Sequence, residues 1–360
     1  MLDLSSLIHV KVEKLRGFLD RDYVQTAEGY FFCVVDGMHP EDRVIAYLKY
    51  VPDPSGKWGR GNKRFRRALK YYTMPALLET LKFLENHPEY LYYSPVMGIR
   101  MSAVPLSRVS IHFKPEEKLS QLMRMRKPDD LQRKVIGLVN LISDESGVPL
   151  RFFGVTGSIL LDIHRSFSDI DLIIYGRENS ESVKSVLKQI IGDQDSPIQK
   201  FSNERIREWC LSKSRMYPLT YEEAARIFKR KWGRGLFGGT VFSVHPVKLE
   251  GEIDEKYGDR IFKPEGMIKI EAVVSDASES DFLPAIYKVE KVKVLEGPKI
   301  KDILEVASYE GLYGGIAEKG ERIVAYGKLE KVTDRRLGEQ YHRVLVGSKE
   351  AEGTDYIKPL

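Results

Sequence analysis

Disulfide chemistry has little to work with in this chain of 360 residues, whose only cysteines are Cys33 and Cys210. They lie far apart and fit no metal-ligand or redox spacing, which predicts two buried, reduced thiols in an intracellular protein. Long hydrophobic runs are also missing: no apolar stretch approaches the roughly 20 residues of a spanning helix. The segment Met1 to Glu13 lacks the basic start and apolar core of a secretory signal. A cytoplasmic protein with no membrane partner is the expectation. Nor does charge of one sign dominate, since 57 Lys and Arg face 52 Asp and Glu, a net +5. That balance permits a polyanionic partner without requiring one. With 42% hydrophobic and 30% charged residues the composition is that of a globular protein, neither disordered nor fibrous. Its wealth of Lys, Arg and Glu suits a heat-adapted, thermophile source.

A chain this long predicts two or three domains. The first, residues 1–113, reads as β-rich: strands at Tyr23–Ala27, Tyr30–Val35 and Arg43–Val51, then a basic loop from Pro52 to about Lys70. A helix is expected over Pro75–Glu85, where Leu77, Leu78, Leu81 and Leu84 share a face, and a strand over Pro105–Phe113. The second domain, residues 114–261, has α/β (α+β) texture. Helices are expected at Pro115–Met123, Pro128–Ser143, from Gly157, near Ser180–Ile191, and at Glu204–Lys213 and Tyr221–Lys231. Strands are expected at Asp169–Tyr175 and Thr240–Lys248. Residues 262–360 return to strand spacing, at Met267–Val274, Ala285–Val294, Arg322–Leu329 and Gln340–Val346, predicting a small antiparallel barrel or sandwich. The fold class is thus a central mixed sheet with helices, flanked by two mainly β domains.

The chemistry concentrates in Gly157-Ser158, ten intervening residues, then Asp169-Ile170-Asp171. A Gly-Ser turn opening a helix presents free N–H groups and the positive end of the helix dipole, both attractive to phosphate. Gly157 lets the backbone approach closely, and the Ser158 hydroxyl can cap the helix or donate to a phosphate oxygen. In the following strand Ile170, Leu172 and Ile174 alternate toward the core, so Asp169 and Asp171 project together from the opposite face. Two ionised carboxylates so close repel, and a divalent cation relieves the repulsion. Hard oxygen ligands favour Mg²⁺ or Mn²⁺.

These elements resemble the hallmark of the nucleotidyltransferase superfamily, which includes DNA polymerase beta, the CCA-adding enzymes and the aminoglycoside nucleotidyltransferases. The resemblance spans roughly Arg151 to Lys248 and includes Ser168 before the first acid. It implies attack of a hydroxyl on the α-phosphate of a nucleoside triphosphate, with pyrophosphate leaving. It also implies that Asp169 and Asp171 bind metal, while Gly157 and Ser158 hold the β- and γ-phosphates. Active members carry a third carboxylate on a neighbouring strand, here Thr240–Lys248, whose inward alternates are Val241, Ser243, His245 and Val247. Phe242-Ser243-Val244-His245-Pro246 is similar to the Val-Asp-Val-Val-Pro run of archaeal CCA-adding enzymes with the Asp lost. His245 could ligate a softer metal such as Mn²⁺ or act as a base. Glu250, Glu252 or Asp254 could reach in instead, or the third ligand is absent and activity is weak or lost.

Two basic stretches remain. Lys57, Arg60, Lys63, Arg64, Arg66, Arg67 and Lys70, interleaved with Trp58, Phe65, Tyr71 and Tyr72, combine phosphate-neutralising charge with aromatic stacking surfaces, a mixture suited to RNA or single-stranded DNA. A solvated loop with inward aromatics is the plainer alternative. Lys231 and Arg234 form part of a second cluster able to contact a triphosphate, with ordinary helix-end charge as its alternative. His164 reads as a surface residue. Transfer of a nucleoside monophosphate to an RNA hydroxyl is the leading expectation. A degenerate nucleotide- or RNA-binding protein of the same fold is the rival, and a scaffold with a relic central domain the third.

Overall fold

A computed structural model describes residues 16–193 and 195–360; the segment Met1 to Glu13, read above for a secretory signal, lies outside them. Three sheets follow one another along the chain. The first contains β1 (Tyr23–Thr26), β2 (Phe31–Val34), β3 (Arg43–Pro52), β4 (Trp58–Arg60), β5 (Lys63–Arg67), β6 (Leu91–Ser94), β7 (Ile99–Pro105) and β8 (Val109–Phe113). Its main order is β4-β5-β3-β2-β1-β8, with β7 pairing both β3 and β6. The stretch expected to be a loop, Pro52 to Lys70, is therefore largely a hairpin. Its signal is weak because only Phe65 of β5 turns inward. Helix α1 (Met74–Phe83) opens on Thr73, whose hydroxyl accepts from the Ala76 N–H, with Pro75 in the first turn.

The central sheet has the order β11-β12-β13-β10-β9, with β9 (Phe153–Val155), β10 (Ile170–Tyr175), β11 (Ile198–Gln199), β12 (Arg234–Phe237) and β13 (Thr240–Val247). Only β10 and β13 run parallel; the other pairs are antiparallel. Helices α2 (Pro115–Met123), α3 (Asp130–Ser146), α4 (Gly157–Leu160), α5 (Arg177–Ile190), α6 (Asn203–Met216) and α7 (Tyr221–Arg230) complete this region. The capping box of Asp129 and Gln132 starts α3, and Gly147 at φ 69° ends it. Its Leu131, Val135, Leu138, Val139 and Ile142 meet Ile170, Leu172 and Ile174 of β10 in one core. The other face of β10 is also covered: Ile173 and Tyr175 pack with Leu19 and Val247. A strand buried on both faces leaves its polar positions at the end where Asp169 and Asp171 lie.

The third sheet is a closed barrel. Strands β14 (Arg260–Asp276), β15 (Ala285–Glu296), β16 (Ile303–Ser308), β18 (Glu339–Val346) and β17 (Arg322–Asp334) follow in that order, and β17 pairs back with β14. Strand β19 (Tyr356–Pro359) adds to β17. Closure removes free edges. The barrel is not wholly antiparallel, since β16 and β18 run parallel. No helix among the described residues is long and apolar enough to cross a membrane. Cys33 and Cys210 are free and buried.

Candidate active site

Strand register builds the site. Asp171 of β10 lies opposite Ser243 of β13, and Ser243 lies opposite Arg234 of β12. Paired residues share a face, so three adjacent strands set a carboxylate, a hydroxyl and a guanidinium in one row. The Ser243 hydroxyl donates to Asp171 Oδ1 at 2.7 Å, and His245 Nε2 stands 2.8 Å from Ser243 Oγ. An ionised carboxylate only accepts and serine has one proton to give, so His245 Nε2 carries the proton donated to Ser243. Burial, Arg21 and Arg234 outweigh the pull of Asp171 and push the His245 pKa down to about 4. At neutral pH the ring is uncharged. It is too weak a base to activate a hydroxyl, and its facing nitrogen is already occupied. His245 therefore positions Ser243, and through it Asp171, and the base role expected for it is not supported.

Burial alone would raise the Asp171 pKa, but His245, the Ser243 hydroxyl and Arg21 hold it well below the usual carboxylate range. Asp169 goes the other way: partial desolvation and the charge of Asp171 push its pKa up, against Arg67, Arg205 and Arg234. Asp169 thus feels the charge of Asp171. Asp171 also faces the Gly157 turn. Gly157 has φ +69°, and a Cβ there would stand 2.7 Å from Asp171 Oδ2. Glycine is required twice over, for the left-handed backbone and for the room the carboxylate takes. Thr156, just before it, donates its N–H to the Asp171 carbonyl at 2.9 Å and its hydroxyl to the Arg21 carbonyl at 2.7 Å.

Other expectations fare differently. Helix α4 is a single turn, Gly157–Leu160, with Ser158 buried, so the dipole contribution expected at this turn is small. Glu250 and Glu252 do not reach the acids. Glu250 accepts from the Gly17 N–H, Glu252 from the N–H groups of Arg177 and Leu249, and neither they nor Asp254 line the cavity beside Asp171. His164 is not a surface residue. It is buried, with Nε2 2.8 Å from the same Asp129 carboxylate that starts α3. Among the described residues no group of three or more His, Cys, Asp or Glu is placed to hold a metal ion. A divalent cation would therefore take two protein carboxylates, Asp169 and Asp171. Its remaining oxygens would come from phosphate and water, a donor set that suits Mg²⁺.

The two basic stretches part company. Lys231 lines the same cavity as Asp171, yet its ammonium is spent on the carbonyls of Gly311 and Gly314, at 3.0 and 2.5 Å. The β4–β5 hairpin, in contrast, docks on the segment that joins the Gly157 turn to the acids. The Gly59 N–H donates to the Ile163 carbonyl at 2.7 Å, Arg165 donates to the Gly59 carbonyl at 3.1 Å, and Trp58 meets Phe167 edge-on at 5.9 Å. Arg67 stacks over Trp58 at 4.6 Å. Lys57, Arg60, Lys63, Arg64, Arg66 and Arg67 are all exposed, as are Phe167, Tyr71 and Tyr72. A basic and aromatic surface thus adjoins the acid pair.

Behind Asp171 opens a cavity of about 960 Å³ whose walls come from all three sheets' regions, among them Lys49, Asp171, Arg234 and Glu310. Arg21 and Lys49 were not singled out from sequence. Arg21 leaves one trace of its role, a left-handed backbone (φ 64°) that no sequence pattern reveals.

The chain is 34% identical to an uncharacterized protein of Methanocaldococcus jannaschii over 341 residues, which is 94% of this chain and 98% of that protein. No protein-family model matches, and no solved structure matches.

Proposed function

The chain belongs to one family with the Methanocaldococcus jannaschii protein, and for it we propose metal-dependent transfer of a nucleoside monophosphate from a nucleoside triphosphate to a hydroxyl of RNA. The observation that carries this reading is the Asp171 carboxylate aimed at the Gly157 turn, with Asp169 beside it. A carboxylate facing a glycine turn, with a second acid near it in the chain, accommodates a polyphosphate only when a cation offsets their charge. Mg²⁺ or Mn²⁺, held by Asp169 and Asp171, would supply Lewis acidity toward phosphate and attacking oxygen. The protein's own groups do the rest. His245 and Ser243 fix the Asp171 oxygen that faces away from the turn. Arg234 stands one strand beyond Ser243 and would offset phosphate charge. The exposed hairpin, Lys57 to Arg67, offers a path for a single-stranded RNA end beside the acids.

The test is label transfer from α-labelled nucleotides to an RNA oligonucleotide in Mg²⁺ and in Mn²⁺. Asp169→Asn and Asp171→Asn should each lower it by about a hundredfold or more. Transfer unchanged in Asp171→Asn would sink the reading. One observation favours the rival: Ser243 occupies the strand position facing Asp171 where a third carboxylate is expected. Tight, metal-insensitive RNA binding with no transfer would establish a degenerate binding protein instead.

A further inference from the structure

Phosphate needs positive charge, and the one-turn α4 offers little of it. The strand pattern of the first sheet supplies another source. In the pairing of β2 with β3, Phe31 lies opposite Tyr50 and Phe32 opposite Leu48, so Lys49 is the extra residue of a bulge. Bulges re-aim side chains and recur beside functional sites. Lys49 is 2% exposed yet lines the cavity shared with Gly157, Asp171 and Arg234. Its ammonium has the Tyr72 hydroxyl as hydrogen-bond partner and lies 3.8 Å from the Tyr72 ring centre. No carboxylate among the described residues pairs with it. A buried ammonium without a counter-charge is costly, and the groups around it offset that cost only in part. Burial and the neighbouring Arg67 and Arg21 push its pKa down to about 7, against the opposing charge of Asp171. Such a site is completed by an anion.

We propose that Lys49, carried by the first sheet and not by the sheet that holds the acids, is a phosphate ligand of the nucleotide, reaching across the cavity to the triphosphate whose metal Asp169 and Asp171 hold. The proposal rests on the nucleotidyl-transfer reading. It makes the amino-terminal sheet part of the nucleotide site, with Tyr72 as the group that holds the ammonium until phosphate arrives.

The probe is inorganic triphosphate with Mg²⁺, which has no base and so reports phosphate contacts alone. Binding is measured by calorimetry on the full chain, beside thermal unfolding of each variant with and without the probe. Lys49→Met should weaken binding by about tenfold to a hundredfold, the loss expected for one charge-assisted hydrogen bond. Lys49→Arg should keep most of the affinity. Without ligand, Lys49→Met should melt no lower than the wild type, because it removes an unpaired buried charge. A structural role predicts the reverse: a lower melting temperature for Lys49→Met, reproduced by Tyr72→Phe, and unaltered triphosphate affinity. Either that result, or a Lys49→Met protein that binds as tightly as wild type, overturns the proposal while leaving the acid pair's role standing. A wild-type chain that binds neither triphosphate nor ATP overturns both.

Discussion

Replacing Gly157 by alanine adds one methyl group at the point where the turn and the acid meet. Two separable costs follow. The backbone at φ +69° is left-handed, and an L-residue held there costs about 1–2 kcal/mol relative to glycine. The new Cβ would also stand 2.7 Å from Asp171 Oδ2, closer than carbon and oxygen tolerate. Asp171 is not free to swing aside, because its other oxygen accepts the Ser243 hydroxyl at 2.7 Å. Breaking a hydrogen bond to a charged group costs about 1.5–3 kcal/mol. Gly157→Ala should therefore destabilise by about 2.5–5 kcal/mol in total. In an Asp171→Ala background only the backbone share should remain. The assay is denaturant unfolding of the four proteins of this double-mutant cycle, and the coupling should equal the hydrogen-bond share, about 1.5–3 kcal/mol. If Gly157→Ala costs the same with and without the Asp171 carboxylate, the two groups do not touch and the site is misdrawn.

Three further outcomes follow from other parts of the molecule. Asp20 is buried with Oδ2 lacking a hydrogen bond, and burial, opposed by Arg21 at 3.5 Å, pushes its pKa up from 3.8 to about 7. The folded chain holds that proton more tightly than the unfolded one, so stability is lost as pH rises from about 4 through 7, by up to about 4 kcal/mol. Asp20→Asn should match wild type near pH 4 and exceed it at pH 8; equal pH slopes in urea unfolding of the two proteins would contradict this. In the barrel, Glu330 receives Lys328 at 2.9 Å and Arg343 at 2.8 Å, all three nearly sealed from solvent. Glu330→Gln removes the nearer carboxylate from both cations, leaving Lys328 with Glu350 at 3.5 Å and Arg343 with Glu305 at 3.6 Å, and should cost about 1.5–3 kcal/mol, read as a lower urea midpoint, whereas an unchanged midpoint would mean that water reaches the site. On the hairpin, the triple substitution Arg60→Ala, Lys63→Ala and Arg64→Ala should flatten the dependence of single-stranded RNA binding on log salt by about 2. Anisotropy titrations over a range of KCl read this slope, and an unchanged one would remove the hairpin from the RNA path.

Local features of the sequence were legible where periodicity and contact coincide. Strand β10, its apolar alternates Ile170, Leu172 and Ile174, and the apolar stripe of helix α3 all follow from patterns a few residues long. The place of Ser243 was legible too, because strand alternation narrows the facing positions to two. What escaped depends on distant partners. His164 looks like a polar residue in a connection, and only the fold brings Asp129 to it. Lys49 interrupts an otherwise apolar strand, a visible oddity whose meaning lies in a bulge set by the neighbouring strand. The helix expected from Gly157 stops after one turn because Leu160, Leu161 and Ile163 are claimed by Tyr23, Phe31, Tyr50 and Phe65 of the first sheet, an attraction no local propensity encodes.

That last packing decides how the molecule comes apart. The strap between the Gly157 turn and the acids is anchored not in the sheet it feeds but in the core of the amino-terminal one. Excised alone, residues 114–261 would keep both aspartates and lose the mould that shapes the path between them. Whatever pries the two sheets apart disarms the acids from a distance, without laying an atom on either.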